Sequence, residues 1–193
     1  MSVIKAFVYL ALLGLRRAEL AGLRWEAVDL DSETPTLTVR ETRVSTAAGV
    51  VAQDTTKTLA SQRILPLPAD AVPILKRVRG DHRDLKRRLG DQWQGPADGD
   101  GYVLIGDLGG ALSPRTLDVW WTRALAEAGL PHRRLHASRH TAASVLALRG
   151  APVPLIAAWL GHGDGGVLAM RTYVHTPGAA LNSTAALLNR RDG

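Results

Sequence analysis

The residues best suited to chemistry lie in the last third of the chain, where basic side chains surround one tyrosine. His136–His140 reads HASRH, Leu160–His162 reads LGH and Arg171–His175 reads RTYVH, with Tyr173 at the centre of the last motif. A phenol among imidazole and guanidinium groups can attack a phosphodiester and hold the phosphate as a covalent ester while the cations neutralise its oxygens. The pattern therefore indicates phosphoryl transfer through Tyr173; the alternative is a partly buried core tyrosine.

Two further basic candidates, Arg16 and Lys57, lie far upstream. Arg16 is in GLRRAEL, and the spacing to Glu19 puts the two on one helical face or across its first turn. Glu19 could then orient the guanidinium for phosphate binding, or the two could form a surface ion pair that contributes little. Lys57, in DTTKTLASQR between two predicted strands, could protonate a departing alkoxide from a hairpin tip. The alternative for Lys57 is a solvated lysine in a turn.

His136 shares a predicted helical face with Arg139 and His140, which follow it by three and four residues. A histidine pair at this spacing can bind zinc, but a zinc site needs a third ligand. The helices of zinc hydrolases also have Glu directly after the first histidine, where this chain has Ala137. HASRH is therefore interpreted as a phosphate-binding motif or as a helix N-terminus with polar contacts. His162 would project from the end of the preceding helix, because Gly161 ends that helix.

Composition favours one ordinary domain with a polyanionic partner. The chain has 193 residues, 46% of them hydrophobic, and a net charge of +6. Arginine supplies 20 of the 24 positive side chains, which suits bidentate phosphate binding, although a codon bias toward arginine would give the same count. The absence of cysteine excludes disulfides, thiolate metal sites and cysteine nucleophiles, and agrees with a cytoplasmic protein. The apolar run Val3–Leu15 is broken by Lys5 and is too short to span a bilayer.

The spacing of apolar and turn residues predicts a mainly helical α+β domain with a small three-stranded antiparallel sheet in its N-terminal third. The predicted strands are Thr36–Val44, Val50–Gln53 and Gln62–Leu67, with turns at Ala48-Gly49 and Asp54–Lys57. The predicted helices are Ser2–Gly14, Arg17–Leu23, Asp70–Leu89, Ser113–Ala128, Ala137–Leu148, Pro154–Leu160, Leu168–Val174 and Ala179–Asn189. Gly90–Gly101 is predicted to be a surface loop.

In chain order, GLRRAELAGLRW, a lysine in a β-turn, H-x-x-R-H, LGH and a following tyrosine resemble the catalytic domain of tyrosine recombinases, the phage integrase family. The resemblance extends from about residue 5 to residue 180 and includes RILPLP at Arg63–Pro68 and AGLP at Ala128–Pro131. It implies a site-specific recombinase or integrase, encoded by a bacterium or a phage, that acts on double-stranded DNA in the cytoplasm, at the nucleoid. It implies neither a metal nor a cofactor, because the cations neutralise the phosphate.

The resemblance also implies a role for each candidate residue. The matching catalytic positions are Arg16, Lys57, His136, Arg139, His162 and Tyr173. The arginines would clamp the phosphate, the lysine would protonate the 5′ oxygen, and the histidines would bond the phosphate and assist proton transfer. The tyrosine would form a 3′-phosphotyrosine intermediate. Glu19 and His140 would not contact the phosphate but would support the residues that do.

Three features depart from the pattern of the family. Ala137 and Ser138 stand inside H-x-x-R, where relatives often have Asp-Leu or a similar pair, and the stretch His162–Tyr173 is slightly longer and rich in glycine. Relatives usually carry an N-terminal helical domain that clamps DNA, whereas residues 1–193 are all assigned to the catalytic domain. The resemblance further implies a homotetramer on DNA and a monomer when free. Ala179–Asn189 would pack either on a neighbouring protomer or on its own domain.

Two other functions compete with recombination. The helices Ala137–Leu148 and Pro154–Leu160, separated by Arg149-Gly150-Ala151, have the spacing of a helix-turn-helix and predict a DNA-binding module without catalysis. A type IB topoisomerase would use closely related chemistry and would relax supercoiled DNA without site preference.

Overall fold

The computed structural model describes residues 2–47, 49–54 and 63–161. The helices within these ranges are α1 (Ser2–Leu12), α2 (Arg17–Gly22), α3 (Ala71–Leu89), α4 (Pro114–Glu127), α5 (His136–Leu148) and α6 (Val153–Leu160). The strands are β1 (Val28–Asp29), β2 (Thr36–Val39), β3 (Glu41–Thr46), β4 (Gly49–Asp54) and β5 (Arg63–Pro66). Short 3-10 turns lie at Trp25–Ala27 and Gly90–Gln92. The predicted mainly helical α+β class is confirmed.

The six predicted helices that fall in the described ranges are all present, with ends displaced by one or two residues. α4 shows why the prediction succeeds: Ser113 Oγ accepts a hydrogen bond from the Thr116 amide at 3.2 Å, and Pro114 occupies the first turn. The predicted helices Leu168–Val174 and Ala179–Asn189 lie outside the described residues. None of the helices that the structure describes is long and apolar enough to cross a membrane.

The strands are arranged differently from the prediction. The three-stranded antiparallel sheet has the order β1-β2-β5, while β3 and β4 form a separate hairpin. The predicted strand Thr36–Val44 is divided at Arg40, and Gly49, predicted in a turn, begins β4. The reason is burial: β2 places Leu37 and Val39 in the core, whereas no side chain of β3 is buried. The chain therefore leaves the sheet after Val39.

The main core surrounds α1. Its Ala6, Phe7, Leu10 and Ala11 are all fully buried, and Phe7 packs edge-on against two tryptophans of α4. Val3 and Leu13, at the two ends of this helix, are only half-buried and pack against the edge of the core.

A second, smaller cluster joins α5 to α6. Its buried members are Ala142, Ala143, Ile156 and Leu160. Trp159 packs against this cluster and against the main core, and so connects the two.

Candidate active site

The candidate active site is built around the C-terminal end of α6. The last carbonyls of an α-helix have no partners within the helix and carry the negative end of its dipole, so they favour cations. Here three successive carbonyls accept hydrogen bonds from three arginines that are far apart in the sequence. The pairs are Arg63 Nε with the Trp159 carbonyl at 2.8 Å, Arg139 Nη2 with that of Leu160, and Arg16 Nη2 with that of Gly161 at 2.7 Å.

Gly161 ends α6 as the sequence predicts. Its φ is 66°, in the left-handed region that favours glycine. The position also needs glycine for space, because a Cβ atom there would lie 2.8 Å from Nη1 of Arg63. His162 follows directly and lies outside the described residues.

Arg16 and Glu19 form the contact that their spacing predicts. Arg16 precedes α2, its amide donates to Glu19 Oε2 at 2.7 Å, and its Nη1 donates to Glu19 Oε1 at 2.8 Å. The side chain of Arg16 is 40% exposed, but that of Glu19 is only 3% exposed. The pair is therefore not the surface ion pair of the alternative interpretation.

Glu19 is also held by an arginine that the sequence did not single out. Arg63 donates from Nη1 to Oε1 at 2.9 Å and from Nη2 to Oε2 at 2.8 Å, and both side chains are almost completely buried. Burial alone would raise the pKa of Glu19. The hydrogen bonds and charge of Arg63, followed by those of Arg16, outweigh it and lower the pKa to about 2.

A signal for Arg63 does exist in the sequence. In RILPLP the side chains alternate, so that Arg63 and Leu65 are buried while Ile64 is exposed. An arginine in the buried phase of a strand needs a buried partner, because an unpaired charge is expensive in the interior. The pattern could have marked Arg63 as an internal residue, although it could not have identified Glu19 as its partner.

Arg139 ties α5 to the turn between α1 and α2. It is 3% exposed, and its Nη1 donates to the Gly14 carbonyl at 2.8 Å. Trp159 Nε1 donates to the neighbouring Leu13 carbonyl at 2.8 Å. Gly14 has a φ of 92°, and a Cβ atom there would lie 2.7 Å from a methyl carbon of Leu160. Glycine at this turn thus allows α1 to approach the end of α6.

His136 and His140 lie at the start of α5 on its exposed side. Their rings meet edge-on with centroids 4.9 Å apart. Partial burial, followed by the charges of His140, Arg139 and Arg16, lowers the pKa of His136, so that its neutral form is favoured near pH 7. Among the described residues, no group of three His, Cys, Asp or Glu side chains is placed to hold a metal ion.

Ser138, which stands in H-x-x-R where relatives often have an apolar residue, is accommodated by a local hydrogen bond. Ser138 is 2% exposed, and its hydroxyl donates to the Leu135 carbonyl at 2.8 Å. The buried hydroxyl is therefore satisfied within the first turn of α5.

Arg16, His136 and Arg139 line one open cleft of about 600 Å³. Its other ionisable lining residues are Arg17, Asp118, His132, Arg133 and Arg134. A cleft of about 800 Å³ elsewhere, between α3 and the start of α1, is lined by acidic and basic residues in similar number and contains none of the predicted site residues. We assign the candidate site to the first cleft because the cationic groups converge there.

The other predicted site residues, Lys57, His162 and Tyr173, lie outside the described residues. The two segments that carry them nevertheless join the described structure at this site. Arg63 directly follows residues 55–62, which include Lys57, and Gly161 directly precedes His162. The structure thus brings together Arg16, Glu19, His136 and Arg139, with His140 beside His136.

Comparison with known proteins gives relatives of one kind. The model of the phage integrase family matches residues 3–178. A protein of Caldanaerobacter subterraneus subsp. tengcongensis described as tyrosine recombinase XerC-like is 30% identical over 168 residues, which are 84% of this chain and 42% of that protein. An integrase of Saccharopolyspora erythraea is 30% identical over 147 residues, 75% of this chain and 31% of that protein. The chain therefore spans less than half the length of these curated relatives.

Solved structures share the fold. The Tn1549 transposon integrase in complex with transposon right-end DNA matches with a TM-score of 0.77 at 19% identity, over 96% of this chain and 58% of that one. The XerH site-specific recombinase bound to its difH substrate matches with a TM-score of 0.65 at 19% identity, over 98% of this chain and 47% of that one. At this identity the likeness establishes the fold and no more.

Proposed function

The chain belongs to the phage integrase family, and from this membership we propose that it is a site-specific DNA recombinase or integrase. It would cleave and rejoin DNA strands through a 3′-phosphotyrosine intermediate. The observation that carries the proposal is the convergence of Arg16, His136 and Arg139 on one cleft at the end of α6. The two arginines and the imidazole match the family's catalytic positions residue by residue.

The proposed reaction exchanges one phosphate ester for another. The Tyr173 oxygen attacks the scissile phosphorus, the bond from phosphorus to the 5′ oxygen breaks, and Lys57 protonates that oxygen. Arg16 and Arg139 bind the non-bridging oxygens and stabilise their charge in the transition state. His136, neutral because of its lowered pKa, accepts the phenol proton. In the second half-reaction a 5′ hydroxyl attacks the phosphotyrosine, and the phenol leaves with a proton.

The remaining site residues have supporting roles in this proposal. His162 bonds the phosphate beside the two arginines, Glu19 orients Arg16, and His140 lies against His136 on the outer side of the site. No metal ion and no cofactor takes part, because the side chains supply the positive charge.

Double-stranded DNA is the proposed substrate, and its support includes the DNA complexes of the matched Tn1549 and XerH structures. We further propose that residues 1–193 act as one catalytic domain, in the cytoplasm at the nucleoid. They would be monomeric when free and tetrameric on DNA. Light scattering of the chain with and without substrate DNA measures this change of assembly.

The central test is covalent capture of DNA. The chain is incubated with a pool of nicked duplexes of randomised sequence, in which the cleaved fragment diffuses away and the adduct accumulates. We expect a denaturant-resistant adduct with the wild-type chain and none with Tyr173→Phe, because the substitution removes the attacking oxygen. The matched control is Tyr102→Phe, whose hydroxyl bonds Glu41 at 2.7 Å instead of lining the cleft, and which should form adducts normally.

Each other outcome identifies a competing function. DNA binding without any adduct favours the helix-turn-helix module, while relaxation of supercoiled plasmid without site preference favours the topoisomerase. An adduct that persists in Tyr173→Phe contradicts the assignment of the nucleophile.

A further inference from the structure

Arg63 has no part in the reaction described above, yet its buried side chain contacts two elements of the site. All three of its guanidinium nitrogens donate: Nη1 and Nη2 to the two oxygens of Glu19, and Nε to the Trp159 carbonyl. Its side chain is 7% exposed. Arg63 therefore lies behind the cleft and does not line it.

Glu19 connects Arg63 to Arg16. An ionised carboxylate has about four acceptor positions, and Glu19 uses four: two for Arg63, one for the Arg16 amide and one for Arg16 Nη1. A carboxylate bonded in this way cannot rotate without breaking several charge-assisted hydrogen bonds at once. The orientation of Arg63 thus determines that of Glu19, which in turn determines that of the Arg16 guanidinium.

The third bond of Arg63 holds the end of α6. Through the Trp159 carbonyl it contacts the same turn whose next two carbonyls bind Arg139 and Arg16. Arg63 also stands directly after the segment that contains Lys57, and the helix end stands directly before His162. Arg63 therefore hydrogen-bonds the end of α6 from the residue that directly follows residues 55–62. The described ends of the two segments that carry Lys57 and His162 are thus in contact.

Stability alone is a poor explanation for such a buried pair. The cost of removing two charges from water is about as large as the attraction gained, and apolar side chains often stabilise a core equally well. Arg63 and Glu19 instead provide a fixed direction for Arg16, which apolar side chains could not provide.

We propose that Arg63 is a positioning residue for strand cleavage: through Glu19, and through the end of α6 that Arg16 also contacts, it holds the Arg16 guanidinium in one orientation. This inference rests on the proposed function for the reaction that it assists. It assigns to Arg63 neither contact with DNA nor proton transfer.

The test separates rate from affinity in the Arg63→Lys variant. Lysine keeps the charge but offers a single point donor in place of the planar fork, so the Glu19 and Trp159 contacts cannot all form. We expect the single-turnover rate of adduct formation, on a duplex selected from the nicked pool by the wild-type chain, to fall about 10- to 100-fold. DNA affinity should change by less than about twofold, because Arg63 is buried and does not line the cleft.

A double-substitution cycle distinguishes positioning from general destabilisation. In an Arg16→Ala background, Arg63→Lys should change the residual rate by less than about twofold, because the group that it positions is gone. A general loss of stability would lower the rate by the same factor in both backgrounds. Glu19→Asp, which keeps the charge but withdraws the carboxylate, is the second variant should Arg63→Lys fail to fold. It is expected to lose rate while retaining affinity.

The orientation of Arg16 can also be measured without DNA, which tests the role of Arg63 independently of the proposed function. In spectra of ¹⁵N-arginine-labelled chain, Arg16 should give slowly exchanging guanidinium protons, assigned through their loss in Arg16→Lys, and Arg63→Lys should abolish them. Arg123→Lys, at an exposed pair with Glu127, should leave them unchanged. If the wild type captures no duplex, the proposed function fails and the spectra still test Arg63. Wild-type rate or unchanged Arg16 protons in Arg63→Lys would overturn the inference.

Discussion

The balance of charge at the α6 end explains why this cleft suits a phosphate. Three guanidinium groups, of Arg16, Arg63 and Arg139, meet one carboxylate and three helix-end carbonyls. The carbonyls carry only partial charges, so the group as a whole stays positive. A phosphodiester would supply the missing negative charge, and Arg16, at 40% exposure, is the arginine that reaches toward solvent.

The lowered pKa of Glu19 should make the free energy of unfolding depend on pH. Its pKa is about 2 in the folded chain against an ordinary value of 4.5. A lowered folded pKa stabilises the fold above the unfolded value, and that contribution is lost as the pH falls from about 4.5 to 2. We expect Glu19→Gln to lower the free energy of unfolding by about 3 kcal/mol at pH 7, with the difference shrinking below pH 4.5. Urea denaturation across this pH range measures both values.

A surface carboxylate provides the control for this prediction. Glu127 pairs with Arg123 in solvent, where both side chains are more than half exposed. Glu127→Gln should change the free energy of unfolding by less than about 1 kcal/mol at every pH. A constant difference between Glu19→Gln and wild type down to pH 2 would show that Glu19 does not titrate in this window.

Single residues were predictable where the partners are neighbours in sequence. Arg16 and Glu19 are three apart, so helix geometry alone indicates their contact. Arg63 is 44 residues from Glu19 and 96 from Trp159, and no local pattern specifies pairs at such separations. The roles of Lys57, His162 and Tyr173 stay predictions.

At the scale of elements, the end of α6 is where backbone conformation and charge meet. The sequence predicts that Gly161 ends the helix, since glycine readily adopts a positive φ. It does not reveal that the space beside Gly161 is taken by the guanidinium of Arg63. The helix end and the arginine must therefore fit each other.

This fit predicts different costs at two glycines with nearly the same positive φ. Gly129, directly after the C-cap residue of α4, has a φ of 67° and open space around it, while Gly161 has a φ of 66° and an added Cβ atom there would lie 2.8 Å from Arg63 Nη1. Gly129→Ala should cost about 1 kcal/mol from the backbone alone. Gly161→Ala should cost about 1 to 3 kcal/mol more, because Arg63 must move. Thermal denaturation of both variants compares them, and equal costs would show that Arg63 yields freely.

The strands show the limit of local patterns for elements. Thr36–Val44 has continuous strand character, and only burial distinguishes β2, with Leu37 and Val39 in the core, from the exposed hairpin of β3 and β4. β1, with two residues, is too short to give a pattern at all. The end of β2 and the presence of β1 both depend on pairing with other strands. A local sequence pattern does not specify such pairing.

At the scale of the whole molecule, the described part has two apolar clusters of unequal size. The larger surrounds α1, and the smaller joins α5 to α6 through only four buried side chains. Polar contacts attach this helix pair to the rest: Trp159 and Arg139 bond the Leu13 and Gly14 carbonyls, and the α6 end receives the arginines. Segments with few buried apolar contacts open at lower free energy than the main core.

The indole of Trp159 should therefore control how often the helix pair opens. Trp159→Phe keeps an aromatic ring between the clusters but removes the donor to the Leu13 carbonyl, which costs about 1 kcal/mol or more at a partly buried site. We expect amide hydrogens of α5 and α6 to exchange about fivefold to tenfold faster, with α1 and α3 unchanged. Trp93→Phe, which removes an indole bond to the Pro96 carbonyl in the exposed loop, is the matched control and should leave all helices unchanged. Faster exchange in every helix would show that the two clusters open together, and the site arginines would then be only as mobile as the whole fold.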